Sequence, residues 1–180
     1  MSLFADFAPD GGRPPLTDIT IRMAHEEDLD QVAALAQKRD GGEIEAHLRN
    51  AARMLEHPDR CTLLVAEDGD AFLGFTKCEY LSNWGNAPKG WYLAGIVVMP
   101  EHRRRGVGRE LTRARLQWIA QRSADAYYFA SAQNRVSLAL HRPFGFQAVT
   151  RDLEIPGIGF TGGVGILFRA DLSHGVCSSS

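Results

Sequence analysis

The chain has 180 residues, of which 44% are hydrophobic and 23% are charged, a balance typical of one soluble globular domain with a full core. Its formal net charge of -2 argues against general nucleic-acid binding, which usually requires a strongly basic domain. The longest apolar run, Trp91–Met99, is far shorter than the ~20 residues that a membrane-spanning helix needs. We therefore expect neither a nucleic-acid partner nor a membrane span.

Three cysteines and six histidines are scattered along the chain without metal-ligand spacing, so we expect no bound metal. The cysteines show no pairing pattern and no signal peptide is recognisable, which favours the reducing environment of the cytoplasm. The Pro- and Gly-rich residues 1–16 are expected to form a flexible leader, residues 17–172 one domain, and residues 173–180 a tail.

Hydrophobic periodicity predicts alternating strands and helices. In chain order we expect a strand at 19–23, helices around 29–36 and 44–55, a hairpin of strands at 61–66 and 71–80, and a strand at about 91–98. A helix after Gly108, a strand at 126–131, a short helix at 135–142 and strands at 146–153 and 165–171 complete the chain. Strands four and five flank a helix, so they should be parallel neighbours joined by a right-handed crossover. The expected fold is α/β, a mixed twisted sheet of about six or seven strands with helices on both faces.

The most informative stretch joins the fourth strand to the helix that follows it. The apolar run ends at Pro100, and Arg103-Arg104-Arg105-Gly106-Val107-Gly108 leads straight into an amphipathic helix. A helix start carries unpaired N–H donors and about half a positive charge, and glycine lets a ligand approach the main chain closely. This order of residues predicts a phosphate or pyrophosphate site, whereas an arginine cluster alone would be a solvated surface turn.

Two motifs in this region resemble the GCN5-related N-acetyltransferase (GNAT) family. Residues 103–108 match the family's acyl-CoA-binding turn, Arg/Gln-x-x-Gly-x-Gly/Ala, and follow a strand that ends in Val98-Met99-Pro100. Downstream, Asn134, Ser137 and then Leu140-His141-x-x-x-Gly145-Phe146 are similar to the family's Asn-x-x-Ser…Leu-Tyr-x-x-x-Gly-Phe segment. Two spaced motifs in the right order of elements identify the family far better than either one alone.

The resemblance covers about residues 18–172, and it implies an N-acetyltransferase with acetyl-CoA as co-substrate and a sheet splayed between strands four and five. The pantetheine arm would pair with the backbone of strand four, and the pyrophosphate would lie in a cradle of the backbone N–H groups of residues 104–109. The implied cofactor-binding residues are Ile96, Val97, Val98, Arg103, Arg104, Arg105, Gly106, Val107, Gly108, Arg109, Asn134 and Ser137. Two of these have simpler explanations: Asn134 as a helix N-cap, and Ser137 as a solvent-facing helical residue.

The sequence departs from the family pattern at His141, where the family has tyrosine. A neutral imidazole can protonate a leaving sulfur near pH 7, because its pKa of ~6.5 is far below the ~10 of tyrosine. Alternatively, His141 is an interior hydrogen-bonded histidine, or water protonates the sulfur. Glu79, late in the third strand, is the candidate to bind or deprotonate the amine. Alternatively, Glu79 is simply an exposed strand residue, and a chain of water molecules takes the proton from the amine. A backbone N–H near Val98 is the candidate oxyanion donor.

These motifs do not identify the acceptor amine. Trp84, Trp91 and Tyr92 are expected to offer aromatic surface to the acceptor. A cationic acceptor would be attracted by nearby acidic residues, for which the candidates are Glu43, Glu45, Glu79, Asp152 and Glu154. We expect a primary amine on a small cationic molecule, of which an aminoglycoside is one example. The alternatives are a protein lysine or N-terminal acetyltransferase and a non-catalytic acyl-CoA sensor. Dimers are common in the family that the chain resembles, so a homodimer is a further expectation.

Overall fold

The computed structural model describes residues 14–173 and 175, so most of the predicted leader and tail lies outside the described residues. The helices are α1 (Leu29–Asp40), α2 (Ile44–Glu56), α3 (Val107–Ala120) and α4 (Arg135–His141). The strands are β1 (Thr20–Met23), β2 (Cys61–Asp68), β3 (Ala71–Leu81), β4 (Gly90–Val98), β5 (Asp125–Ser131), β6 (Gln147–Thr150) and β7 (Gly165–Asp171). Every strand and helix expected from the periodicity is therefore present.

The seven strands form one sheet in the order β1-β2-β3-β4-β5-β7-β6. β5 and β7 pair antiparallel over their whole length, from Asp125 opposite Asp171 to Ser131 opposite Gly165. β4 and β5 pair in parallel through a single register pair, Tyr92 and Tyr127. The mixed sheet and its parallel pair confirm the α/β prediction, and one register pair is what two diverging strands would make.

The chain folds into two compact units, the first of which contains residues 14–77 and 95–114 of the described chain. Its β2 residues alternate between two apolar clusters, as side chains on a strand must. Leu63 and Val65 belong to a cluster with residues of α1 and α2. Ala66 belongs to a second cluster with Val107 and Leu111 of α3. Within this unit, helices therefore cover both faces of the sheet.

The second unit contains residues 78–94 and 115–173, together with residue 175. One of its clusters joins β5 to Leu116 and Ile119 of α3 and to Leu138 of α4. The other face is covered by an irregular segment, through Leu153 and Ile155, which pack with Tyr92. We expected the strand that begins near residue 146 to continue to residue 153, but residues 151–164 contain no strand. Burying Leu153 and Ile155 draws the chain away from β6, which ends at Thr150 for this reason.

The first described residues correct the expected start of the domain. The Leu16 N–H donates to the Arg105 carbonyl at 3.0 Å, and Leu16 packs on the cluster that contains Leu111. Residues 14–16 therefore belong to the folded unit and not to a flexible leader. No helix in residues 14–173 is both long enough and apolar enough to cross a membrane.

Candidate active site

The turn between β4 and α3 is shaped by two residues with positive φ. After β4 ends at Val98, a 3₁₀ turn at Pro100–His102 precedes α3, which begins at Val107. Gly106 has φ of 94°, which suits a residue without a Cβ, and Arg104 has φ of 60°, which is uncommon outside glycine. These two conformations turn the chain sharply just before the helix begins.

The main-chain donors of this turn are open. Among the hydrogen bonds of the described residues, none uses the N–H of residues 104–108. The Arg109 N–H donates to the Gly106 carbonyl at 2.9 Å, so the predicted cradle of residues 104–109 is one amide shorter. Unpartnered N–H groups at a helix start, with the positive end of the helix dipole behind them, form a site suited to an anion.

The space beside Gly106 fits the approach of a phosphate to the main chain. Among the described residues, a Cβ at Gly106 would meet a single neighbouring atom within 4 Å, Ile19 Cδ1 at 3.8 Å. The position is exposed, so this space opens to solvent. A side chain would occupy the place from which a ligand can reach the amides, and glycine keeps it open.

The three arginines of the turn have different surroundings. Arg103 Nε donates to the Val98 carbonyl at 3.1 Å, which holds the turn against the end of β4. Arg105 Nε donates to the Pro14 carbonyl at 3.2 Å. Arg104 is exposed and makes no hydrogen bond to another described residue. Of the three, Arg104 is the guanidinium best placed to meet an incoming anion, a distinction that the sequence alone does not provide.

The end of β4 is contacted from two sides. Val97 is buried, and Ile96 and Val98 pack on the cluster beneath α3. Arg39 Nη1 lies 3.5 Å from the Ile96 carbonyl, while Arg103 contacts the Val98 carbonyl. Just before them, Gly95 is exposed and has φ of 64°, and its carbonyl accepts from Thr76 Oγ1 at 2.8 Å. Pairing of residues 96–98 with a pantetheine arm stays a prediction.

The start of α4 shows what Asn134 does in the protein. Asn134 Oδ1 accepts the Ser137 N–H at 3.0 Å and therefore caps the helix. Asn134 is exposed, and its Nδ2 makes no hydrogen bond within the described part of the chain. The cap explanation is thus realised, and any ligand contact by this residue would use the amide donor.

His141 is an interior residue. It is 3% exposed, and its ring stacks on Tyr128 with the centroids 4.2 Å apart. Nε2 lies 3.1 Å from Arg115 Nη2, and Nδ1 lies 2.8 Å from the Ser137 carbonyl. Burial, followed by the charge of Arg115, lowers the pKa of His141 to about 3. The imidazole is therefore neutral at physiological pH.

These contacts argue against the acid role predicted for His141. Arginine can only donate, so Nε2 must be the acceptor nitrogen and the single ring proton lies on Nδ1. That proton is directed at the Ser137 carbonyl, inside the protein. The geometry therefore favours the alternative of an interior hydrogen-bonded histidine. Arg115 was missed, although it follows Leu111 by four residues and so lies on the apolar face of α3.

Glu79 lies apart from His141. Side chains alternate along β3, and Cys78 belongs to the cluster with Tyr128, while Leu81 belongs to the cluster on the opposite face. The half-buried Glu79 thus shares the face of Leu81, whereas His141 stacks on the other face. The two predicted catalytic residues are not brought together.

Comparison with known proteins shows which family this chain belongs to. Residues 26–146 match the Acetyltransferase (GNAT) family. The chain is also similar to the aminoglycoside N(6')-acetyltransferase type 1 of Acinetobacter haemolyticus. The two are 31% identical over 133 residues, which cover 72% of this chain and 91% of the Acinetobacter protein. The chain belongs to the GNAT acetyltransferase family.

Solved structures share the GNAT fold with this chain. Spermidine N-acetyltransferase from Vibrio cholerae, in complex with CoA and spermine, has a TM-score of 0.68 and 17% identity, over 86% of this chain and 95% of that one. Ribosomal-protein-alanine N-acetyltransferase from Brucella melitensis has a TM-score of 0.66 and 20% identity, over 85% and 99%. Since these two relatives are named for very different amines, the GNAT fold alone does not identify an acceptor.

Asn86 joins the loop between β3 and β4 to the irregular segment 151–164. Asn86 Nδ2 donates to the Asp152 carbonyl at 2.7 Å, and Asn86 Oδ1 accepts the Glu154 N–H at 2.9 Å. The Asp152 and Glu154 side chains are exposed. Trp91 and Tyr92 are buried, contrary to expectation, because they form core clusters of this unit. Within residues 14–173, no group of three His, Cys, Asp or Glu is arranged to hold a metal.

Proposed function

We propose that this GNAT protein transfers the acetyl group of acetyl-CoA to a primary amine of a small cationic molecule of the aminoglycoside kind. The observation that carries the proposal is the run of five main-chain N–H groups at residues 104–108, open beside Gly106 at the start of α3. Such a run binds a diphosphate, and acyl-CoA is the diphosphate that GNAT enzymes use.

Bound acetyl-CoA supplies an acetyl group activated as a thioester. The protein holds the diphosphate through residues 104–108, and the exposed Arg104 adds a charge-assisted contact. Asn134 Nδ2 is the side-chain donor offered by the first turn of α4. Holding the amine beside the acetyl group supplies much of the acceleration, since effective molarities reach roughly 10⁵–10⁸ M.

The proton transfers need little from side chains. The amine must lose its proton before it attacks, and we assign that proton to Glu79, directly or through water. A backbone N–H near Val98 donates to the carbonyl oxygen as negative charge develops there. Water, and not His141, returns a proton to the leaving sulfur, because the ring proton of His141 is bound to the Ser137 carbonyl.

A cationic acceptor is supported by the likeness to the Acinetobacter haemolyticus aminoglycoside N(6')-acetyltransferase. It is also supported by the exposed carboxylates of Asp152 and Glu154, whose backbone Asn86 holds in place. A protein lysine or N-terminal amine is the runner-up acceptor. We further propose a cytoplasmic location, on the strength of the buried free thiol of Cys78, and a homodimer, which light scattering on the purified chain would test.

A thiol-release screen tests the proposal. Acetyl-CoA is mixed with the protein and with aminoglycosides, polyamines, amino acids or short peptides, while calorimetry measures acetyl-CoA binding separately. We expect thiol release with aminoglycosides or polyamines. Release with peptides alone would support the runner-up acceptor, and binding without release would indicate the sensor. No binding of acetyl-CoA would overturn the proposal.

A further inference from the structure

The first described residues of the chain lie against the turn that leads into α3. Residues 14–19, which we call the entry segment, precede β1 and belong to the same compact unit as the turn. The side chains of Leu16 and Ile19 are partly buried against the cluster that contains Val107 and Leu111 of α3. The entry segment therefore covers the start of the helix whose open amides form the candidate diphosphate site.

Arg105 is held to the entry segment at two points. The Leu16 N–H donates to the Arg105 carbonyl at 3.0 Å, and Arg105 Nε donates to the Pro14 carbonyl at 3.2 Å. On either side of Arg105, Arg104 has φ of 60° and Gly106 has φ of 94°. A left-handed conformation is costly for a residue with a Cβ, and it persists only where the surrounding structure holds it. The two hydrogen bonds fix the residue that lies between these two conformations.

The hydrogen bond from Leu16 also sets the direction of one main-chain donor of the turn. The peptide that joins Arg105 to Gly106 is trans, so its carbonyl and its N–H point in opposite directions. Because the carbonyl faces the Leu16 N–H, the Gly106 N–H points away from the main chain of the entry segment. That N–H is one of the five open amides of the turn, and Ile19 Cδ1 borders the space beside Gly106. The entry segment thus directs a donor and flanks the space from which a ligand approaches it.

We propose that the entry segment is part of the coenzyme site, because its docking on Arg105 directs the Gly106 N–H towards the diphosphate of acetyl-CoA. Leu16 and Arg105 are then positioning residues, a role that rests on the function proposed above. Docking of the segment and binding of the coenzyme require the same conformation of the turn, so each stabilises the other by the same factor. The entry segment precedes residues 26–146, which match the family, so this coupling lies outside what the family match describes.

Two substitutions at Leu16 separate the effect of its N–H from that of its side chain. Leu16→Pro removes the N–H that holds the Arg105 carbonyl, whereas Leu16→Ala keeps the N–H and loses most of the packing. We expect Leu16→Pro to raise the Kd of acetyl-CoA about tenfold, and Leu16→Ala to raise it no more than about threefold. In both variants kcat at saturating acetyl-CoA should stay within about twofold of the wild type, because the segment acts on coenzyme binding. A Leu16→Pro variant that binds acetyl-CoA as tightly as Leu16→Ala would overturn the proposal.

Hydrogen exchange of the unaltered protein gives a second readout that needs no variant. Saturating acetyl-CoA should slow exchange of the Leu16 amide about tenfold, the factor by which Leu16→Pro weakens binding, because the coupling is reciprocal. The Arg60 amide is the control: it donates to the His57 carbonyl at 3.0 Å in the turn after α2, and its exchange should not change. Equal exchange of the Leu16 amide with and without bound acetyl-CoA would overturn the proposal.

Failure of the proposed function gives a different result. If the wild type binds no acetyl-CoA, the proposed function is wrong, and the exchange comparison is repeated with inorganic pyrophosphate. Slower exchange of the Leu16 amide with pyrophosphate would support the role of the entry segment at a diphosphate site. Unchanged exchange would overturn that role as well.

Discussion

The turn before α3 and the start of α4 both present hydrogen-bond donors, but they build them in different ways. The turn uses main-chain amides, which depend on the positive φ of Gly106 and on the helix that follows. α4 uses side chains: the Asn134 amide at its start, and at its end the His141 ring, whose proton is placed on Nδ1 by Arg115, 26 positions away in the sequence. A site made of main chain depends on local conformation, whereas a site made of side chains depends on partners that only the folded chain supplies. Substitutions that alter one of these two sites and leave the other intact distinguish their contributions.

The largest effect is expected in acid, at the buried end of α4. The pKa of His141 is about 3 in the folded chain, below the ~6.5 of the unfolded chain, so the unfolded state binds the proton more tightly. The free energy of unfolding is then fully retained above pH 6.5 and falls as the pH drops towards 3. At pH 4.5 we expect a loss of about 2–3 kcal/mol that His141→Gln, which has no ring to protonate, does not show. Urea unfolding of both proteins at several pH values measures this, and parallel losses would contradict the burial of a neutral imidazole.

At the turn, Gly106→Ala should weaken acetyl-CoA binding by about tenfold or more, equivalent to about 1.4 kcal/mol. The added Cβ occupies the open space beside the amides and, in the part of the chain that the structure describes, meets only Ile19. The matched control is Gly69→Ala, because Gly69 also has a positive φ, of 56°, and has no neighbour within 4 Å of an added Cβ. Calorimetry gives both affinities. Equal weakening in the two variants would mean that backbone strain, and not access to the amides, causes the loss.

Asn134 separates a structural from a ligand-binding role within α4. Asn134→Ala removes the cap and should lower the free energy of unfolding by about 1 kcal/mol. Asn134→Asp keeps an oxygen to accept the Ser137 N–H, so it should retain that stability while losing the Nδ2 donor. Weaker acetyl-CoA binding by the Asp variant alone would assign the donor to the ligand. If the Ala variant is as stable as the wild type, the Asn134 cap contributes nothing to the free energy of unfolding.

The smallest effect concerns the exposed arginine of the turn. Arg104→Gln should weaken acetyl-CoA binding about threefold at low salt and much less at high salt, because an exposed charge pair is worth only about 0.2–1 kcal/mol and is screened. Arg49→Gln, at an exposed position of α2, removes the same charge elsewhere. Identical behaviour of the two variants would show that Arg104 acts only through net charge.

Most of the fold could be predicted from the sequence, because periodicity reports directly which face of an element is buried. The helix ends near Pro58 and Pro143, and the hairpin across Gly69-Asp70, follow from local chemistry. The course of residues 151–164 could not be predicted. Its path depends on Leu153 and Ile155 meeting Tyr92, a contact between segments far apart in the chain.

In the candidate site, too, features set by local sequence could be predicted, and features set by distant contacts could not. The turn that contains residues 104–108 could be predicted as an anion site, because glycines and a helix start carry their chemistry locally. The surroundings of His141 could not be predicted, because nothing near it in sequence reveals that Arg115 occupies its Nε2. The three arginines of the turn also looked alike, until their contacts with Val98 and Pro14 set Arg104 apart.

The account depends most directly on the amides of residues 104–108 binding a diphosphate. Backbone ¹H–¹⁵N spectra recorded during a titration with acetyl-CoA observe each of these amides individually. We predict that the signals of residues 104–108 move together and saturate with the coenzyme, and that the Arg109 amide, already bonded to the Gly106 carbonyl, moves less. Saturable binding that leaves these five signals in place would contradict the account.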